Sequence, residues 1–415
     1  MQKYPLAFLL GPLAALLALG APLAARAHGT GRSPGKDCAR IERKLGTLEW
    51  AATRKRGRGA AVERTIRRLA RRYADHCVAL NQVQVLGTHN SYHIQPDPIL
   101  IDAYAQVDPR AIFWEYTHAP LDEQFDLQGI RQIELDVYAD PDGGLHAQPF
   151  ALGVLVGDLD ARIPELEPPG MKVLHVADLD VFSTCPTLIA CLDVVKAWSD
   201  SHPGHLPILV LVEAKSEQGL FVEPIPFGPA EFDDLDAEIR LVFPDDQLIT
   251  PDDVRRGAET LESAVLSRGW PTLAEARGRI LFALDNGGGD RLDYLEGHPT
   301  LEGRVMFTSS APGEPDAAFL KLNDPLAAEI EDRVREGYIV RTRADADTIE
   351  ARENSTLRRD EALRSGAQFV STDYPVPDPL LSDYSVAIPG GMPGRCNPVS
   401  SPPGCRDSAL EPGTP

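Results

Sequence analysis

The chain has 415 residues, 43% hydrophobic and 25% charged, enough to bury a substantial core within one large domain. Its formal charge of −21 makes the chain as a whole a poor candidate for a general binder of nucleic-acid backbones, because Lys and Arg supply that affinity. The same surplus of carboxylates is compatible with a hard-cation site.

Residues 1–27 open with Lys3 ahead of an uncharged Leu/Ala run and close on Ala25-Arg26-Ala27, the small-x-small pattern of a signal-peptidase site. The run is long enough for an uncleaved anchor, but internal Pro12, Gly20 and Pro22 favour a removed signal peptide. Export to the periplasm or outside the cell is therefore expected, with a mature protein that is soluble. The six cysteines agree with an oxidising compartment. They fall in three neighbourhoods, and proximity pairs Cys38 with Cys77, Cys185 with Cys191 and Cys396 with Cys405 out of fifteen formal connectivities. No CxxC-type spacing suggests zinc.

Residues 28–80 hold 14 basic and 5 acidic side chains and predict a helical hairpin broken near 54–59. Its second arm carries Val62, Ile66, Leu69 and Tyr73 at helical spacing, and a Cys38–Cys77 bridge would close its open end. The charge reads as a solvated face or, alternatively, as attraction to an anionic membrane. From residue 81 to 378 short β-branched runs alternate with stretches able to hold helices. The eight runs are 83–86, 132–137, 172–176, 208–212, 279–284, 304–308, 338–342 and 368–372. They predict an α/β fold, a distorted TIM (β/α)8 barrel preceded by the disulfide-closed hairpin. Residues 379–415 end a Pro/Gly-rich stretch with ten prolines and five glycines in 375–415, and predict an extended tail outside any packed core.

In a parallel barrel chemistry gathers where the strands end. Glu134 and Asp136 alternate about Leu135 and so share one strand face. Two carboxylates held together repel unless one protonates or a cation intervenes. Glu213 follows five apolar residues at the end of the fourth run, and Asn90 follows the first. One amide oxygen and three carboxylates suit Ca²⁺, with Mg²⁺ a poorer match. His175 lies among Val and Leu in the third run.

The stretches Gly87-Thr88-His89-Asn90-Ser91-Tyr92, Tyr116-Thr117-His118-Ala119-Pro120-Leu121 and Glu134-Leu135-Asp136-Val137-Tyr138 resemble secreted bacterial calcium-dependent phosphatidylinositol-specific phospholipases C. So do Cys185-Pro186-Thr187-Leu188 with Cys191-Leu192, Trp198-Ser199-Asp200-Ser201-His202-Pro203-Gly204-His205 and Ser371-Thr372-Asp373-Tyr374-Pro375, a resemblance spanning roughly 80–380. It implies metal ligands at Asn90, Glu134, Asp136 and Glu213, and a catalytic His89. The second catalytic histidine falls on His175, with His146 in the Gly143-Gly144-Leu145-His146 loop as its competitor. Lys215 and Arg341 become phosphate or inositol contacts.

The implied reaction is attack of the inositol 2-hydroxyl on phosphorus, releasing diacylglycerol and a cyclic inositol phosphate. His89 would act as a cation or hydrogen-bond donor, and His175 would protonate the leaving oxygen. The implied partner is phospholipid at a membrane surface, met by a monomer.

Rival readings are a glycerophosphodiester phosphodiesterase, whose His-Arg-Gly is here His89-Asn90-Ser91, and a silent barrel binding inositol phosphates or membranes. Gly287-Gly288-Gly289 lacks phosphate-loop spacing. The pair His202 and His205 lacks further zinc ligands, Ser91 lacks a nucleophile-elbow sequence, and His118 reads as a supporting residue in a helix-like segment.

Overall fold

The computed structural model describes residues 34–54, 59–216, 219–327 and 329–411, so the expected signal peptide lies outside the described residues. Two helices, α1 (Pro34–Arg54) and α2 (Ala60–Cys77), form the hairpin. Ile41, Leu45, Ala70, Tyr73 and Ala74 are buried and join the main core. Cys38 is bonded to Cys77, and the other two disulfides are Cys185–Cys191 and Cys396–Cys405, as the spacing predicts. A bridge spanning 39 residues removes chain entropy worth about 4 kcal/mol from the unfolded ensemble. Replacing both Cys38 and Cys77 with serine is therefore expected to cost stability of that order. Amide hydrogen exchange should locate the loss in residues 34–77; unchanged protection there would refute it.

The strands are β1 (Val83–Thr88), β2 (Gln132–Tyr138), β3 (Lys172–Val173), β4 (Ile208–Ala214), β5 (Ile280–Leu284), β6 (Met306–Thr308), β7 (Phe319–Lys321), β8 (Ile339–Arg343), β9 (Phe369–Thr372) and β10 (Gly394–Cys396). Eight are parallel, in the order β6-β5-β4-β2-β1-β9-β8-β7, and a parallel bridge between Ser309 and Phe319 brings the two ends together. The result is a nearly closed α/β barrel. β1 meets β2 at only one pair, Gly87 with Gln132. The Gln132 side chain lies over Gly87, so a Cβ there would fall 1.9 Å from its Oε1. Only glycine fits.

Two expectations are corrected. The run 172–176 is not a barrel stave: β3 is two residues long and pairs antiparallel with β2. Asp178, at φ 69°, turns the chain back, and Val176 bridges Asp180. The missing stave is β7, too short and too weakly β-branched to stand out. Residues 379–411, the described part of the 379–415 segment, are not an extended tail outside the core. Tyr384, Val386, Ile388 and Leu410 are buried, β10 pairs antiparallel with β1, and Glu411 forms a buried ion pair with Arg131.

The hairpin docks on the base of the barrel, where the strands begin. Leu273 donates to Val78 O and Leu80 to Pro271 O, just ahead of β5. Arg71 donates to Leu410 O (3.0 Å), Arg277 pairs with Asp75 (2.8 Å) and Arg406 with Glu49 (3.0 Å). The strand C-termini are left open at the opposite end.

Candidate active site

The open end holds a cavity of about 1030 Å³ whose walls include His89, Trp114, Tyr116, His175, Arg343 and Asp373. β1 delivers His89 to it, followed by a tight turn at the buried Asn90, φ 45°. Ser91 fastens that turn to β2: its Oγ accepts from Glu134 N (2.8 Å), and it is paired with Thr88 Oγ1 at 2.6 Å. Ser91 is buried in this network, a structural position.

Glu134, Asp136 and Glu213 come together, each offering an oxygen within 4.8 Å of the others. The sheet register explains it, for Asp136 lies directly beside Glu213 on the parallel neighbour. Both oxygens of Asp136, and Asn90 Oδ1, are buried without a well-formed hydrogen bond. Asn90 Nδ2 donates to Tyr116 Oη at 2.9 Å, which fixes the amide and leaves its oxygen as an acceptor. Burial pushes the Asp136 carboxyl well above its ordinary range, and Glu213 adds to this while Lys215 opposes it. Glu134 is raised to about 7, again by burial first, with Arg341 opposing. Buried, repelling oxygens with spare lone pairs form a donor set that fits a hard cation.

Lys215 and Arg341 are internal counter-charges of this cluster. Lys215 Nζ lies 3.5 Å from Asp136 and 3.4 Å from Glu213. Arg341 is 1% exposed, binds Glu134 and donates to Asn323 Oδ1 (2.6 Å). Two arginines line the cavity: Arg110, paired with Asp108, and Arg343, two residues on from Arg341 and so on the same strand face.

His89 holds Asp373 Oδ1 through Nδ1 at 2.9 Å, and Arg343 bonds the other Asp373 oxygen at 2.8 Å. Arg343 Nη1 also points at His89 Nε2 from 3.3 Å. A guanidinium can only donate, so Nε2 is the unprotonated nitrogen there. Burial and the Arg343 charge lower His89 to about 3, against Asp373. His89, expected as a cation or hydrogen-bond donor, is thus placed as a neutral ring whose Nε2 accepts from Arg343. His118, in an extended segment and not a helix, donates Nε2–H to His89 O at 2.8 Å.

His175 sits in the turn after β3, its Nδ1 2.7 Å from Asp180 Oδ2. The same oxygen lies 2.8 Å from His93 Nε2, and His93 donates Nδ1–H to Tyr116 O at 3.0 Å. Burial alone would raise Asp180; its two histidines hold it down at about 2. His146 is 2% exposed and packs on Tyr138, away from the cavity lining. Burial lowers it to about 4. His205 bonds Ser199 (2.8 Å) and Leu206 O (2.5 Å), a structural pairing.

Sequence reasoning missed Asp180, His93, Arg343 and the role of Asp373. Asp373 carried a signal as the first carboxylate beyond the last stave, and Arg343 as the i+2 neighbour of Arg341. Asp180 carried none, since the turn that returns it to His175 depends on one unusual backbone angle.

The sequence model of the family described as "Phosphoinositide phospholipase C, Ca2+-dependent" matches residues 78–398. Among solved structures, a calcium-dependent phosphoinositol-specific phospholipase C from a Gram-negative Pseudomonas sp., in its myo-inositol complex, is 17% identical with a TM-score of 0.49. The match covers 78% of this chain and 97% of that one. A Ca²⁺-dependent phosphatidylinositol-specific phospholipase C from Streptomyces antibioticus is 19% identical, with a TM-score of 0.45 and coverage of 72% and 96%. No curated protein matches the chain.

Proposed function

Because the chain belongs to the Ca²⁺-dependent phosphoinositide phospholipase C family, we propose that it cleaves phosphatidylinositol to diacylglycerol and a cyclic inositol phosphate. The observation that carries this reading is the pair of histidine–carboxylate units, His89–Asp373 and His175–Asp180, on one cavity beside an acidic cluster. The inositol 2-hydroxyl oxygen bonds to phosphorus and gives its proton to His89 Nε2. The bond from phosphorus to the glyceryl oxygen breaks, and His175 Nε2 protonates that oxygen. Arg343 faces the phosphate. A bound anion offsets its charge and so makes His89 a better base than in the free protein. Asp373 and Asp180 hold each ring through Nδ1 and orient Nε2 for proton transfer. Asn90, Glu134, Asp136 and Glu213 would hold Ca²⁺, which when bound supplies electrostatic stabilisation to the hydroxyl and the phosphate oxygens. Lys215 and Arg341 act as the counter-charges of that cluster, in place of the direct substrate contacts expected from sequence.

The surroundings suit a lipid. Val107 (90% exposed) and Leu220 edge the cavity, and Phe221 (73% exposed) packs against Phe150 at 5.5 Å. No described helix is long and apolar enough to cross a membrane. The disulfides and the residues 1–27 support export. Replacing Val107 and Phe221 with serine is expected to lower turnover of vesicle substrate at least tenfold and to leave turnover of a soluble inositol phosphodiester unchanged. Equal losses would argue against a membrane role for the rim.

The direct test is diacylglycerol release from phosphatidylinositol vesicles, with Ca²⁺ and with a chelator, beside soluble glycerophosphoinositol. Metal-independent turnover, or turnover of the soluble diester alone, would overturn the proposal.

A further inference from the structure

Helix α2 carries Arg64, Arg67, Arg68, Arg71 and Arg72 and no lysine. At 3.6 residues per turn Arg64, Arg67, Arg68 and Arg72 fall within an arc of about 140° that excludes the buried Ala70, Tyr73 and Ala74. They span about 12 Å of the axis, and the i, i+4 steps from Arg64 to Arg68 to Arg72 are each about 6 Å. All four are exposed. Arg71, at the end nearest the barrel, is turned to the Leu410 carbonyl and to Asp75.

Their lack of partners sets them apart. The chain has 62 acidic residues, and most arginines of the barrel are ion-paired. Among the described residues, Arg64, Arg67, Arg68 and Arg72 make no hydrogen bond, ion pair or aromatic contact. Like charges at i, i+4 destabilise a helix, so the row is held at a cost that an anionic partner would remove. The helix itself carries two carboxylates, Glu63 and Asp75, against five arginines, and Asp75 is engaged by Arg71 and Arg277.

We propose that this row binds a linear phosphodiester polymer through its backbone charges. A uniform choice of arginine matches the two free oxygens of a phosphodiester, which the guanidinium fork takes together; lysine would serve equally for diffuse attraction. The row holds no aromatic side chain on which bases could stack, so a phosphate backbone is what it reads. A bilayer is the poorer fit. The hairpin docks at the base of the barrel while the cavity opens at the opposite end, so a membrane seated on the row could not feed the site. The row thus tethers the enzyme with its cavity facing away from the polymer. This is independent of the catalytic reading.

The test uses the full exported chain, a fluorescent abasic phosphodiester oligomer and anionic phospholipid vesicles. A variant with Arg64, Arg67, Arg68 and Arg72 all replaced by glutamine keeps helix propensity and loses the i, i+4 repulsion, so it should melt no lower than wild type and retain its activity on a soluble substrate. Wild-type binding to the oligomer should weaken with salt with a log–log slope of about −3 for four contacts, and the variant should bind about a hundredfold more weakly. No wild-type binding, or equal binding by the variant, overturns the proposal. So does tighter binding of oligothymidylate than of the abasic chain, which would mean that bases are read. Vesicle binding that depends on the four arginines, without oligomer binding, would assign the row to a membrane instead.

Discussion

Replacing His175 with glutamine is expected to lower kcat on phosphatidylinositol by about 10³–10⁴, with KM little changed, because proton delivery to the leaving oxygen acts only in the transition state. The loss should shrink to less than about tenfold for an inositol phosphate ester of nitrophenol, whose leaving group departs without a proton. Replacing Asp180 with asparagine should cost less, since it leaves the ring in place and loosens its orientation through the 2.7 Å bond to Nδ1. Diacylglycerol release and nitrophenolate absorbance measure the two substrates in parallel. Equal losses on both would remove His175 from the acid role. His146 offers a control: buried outside the cavity lining, its replacement by glutamine should affect folding before it affects leaving-group dependence.

Asp136→Asn should move stability and activity in opposite directions. In the metal-free protein Asp136 is buried, neither of its oxygens has a well-formed hydrogen bond, and two carboxylate neighbours repel it against the counter-charge of Lys215. Removing such a group relieves about 1–3 kcal/mol, which raises the melting temperature of a chain this size by a few degrees. The same change should abolish the thermal shift produced by Ca²⁺ and lower kcat by at least about 10³. The pH dependence has a defined sign. Carboxyls raised in the folded state bind protons there that the unfolded chain has released, so their contribution to stability falls as pH rises above the ordinary carboxylate range, through about 7 for Glu134 and likewise upward for Asp136. The stability advantage of Asp136→Asn over wild type without Ca²⁺ should therefore grow between pH 5 and 8. Ca²⁺ should bind more weakly as pH falls below 7, because Glu134 then carries a proton the cation must displace. Scanning calorimetry with and without chelator reads the stabilities and the Ca²⁺ shift, and diacylglycerol release reads kcat. A variant less stable than wild type at pH 8 in chelator would show that the cluster is not under strain.

The parts of this molecule legible from sequence are those written in local pattern. Alternation about Leu135 put Glu134 and Asp136 on one face, helical spacing from Val62 to Tyr73 gave α2, and cysteine proximity gave all three bridges. What escaped depends on long-range placement. β7 has three residues and is a strand only because β8 pairs with it in register. The prolines of the C-terminal segment break regular structure, yet between them Tyr384, Val386 and Ile388 find the core. Arg341 and Arg343 stand at the same alternation position, and no pattern tells which is drawn inward by Glu134 and which is left at the cavity wall.

The seating of the C-terminal segment has a consequence for how the chain is made. β1, built from residues 83–88, is flanked by β9 and by β10, and Arg131 finds its carboxylate only at Glu411. The stave formed first during synthesis, β1, therefore lacks β9 and β10 until nearly the whole polypeptide exists, although β2 finds β4 much earlier. The barrel cannot close on a partial chain, and a nascent product stays open through most of its elongation. That delay suits the export proposed above. The Cys396–Cys405 bridge begins at the end of β10, so it fastens the last strand of the chain in place against the first.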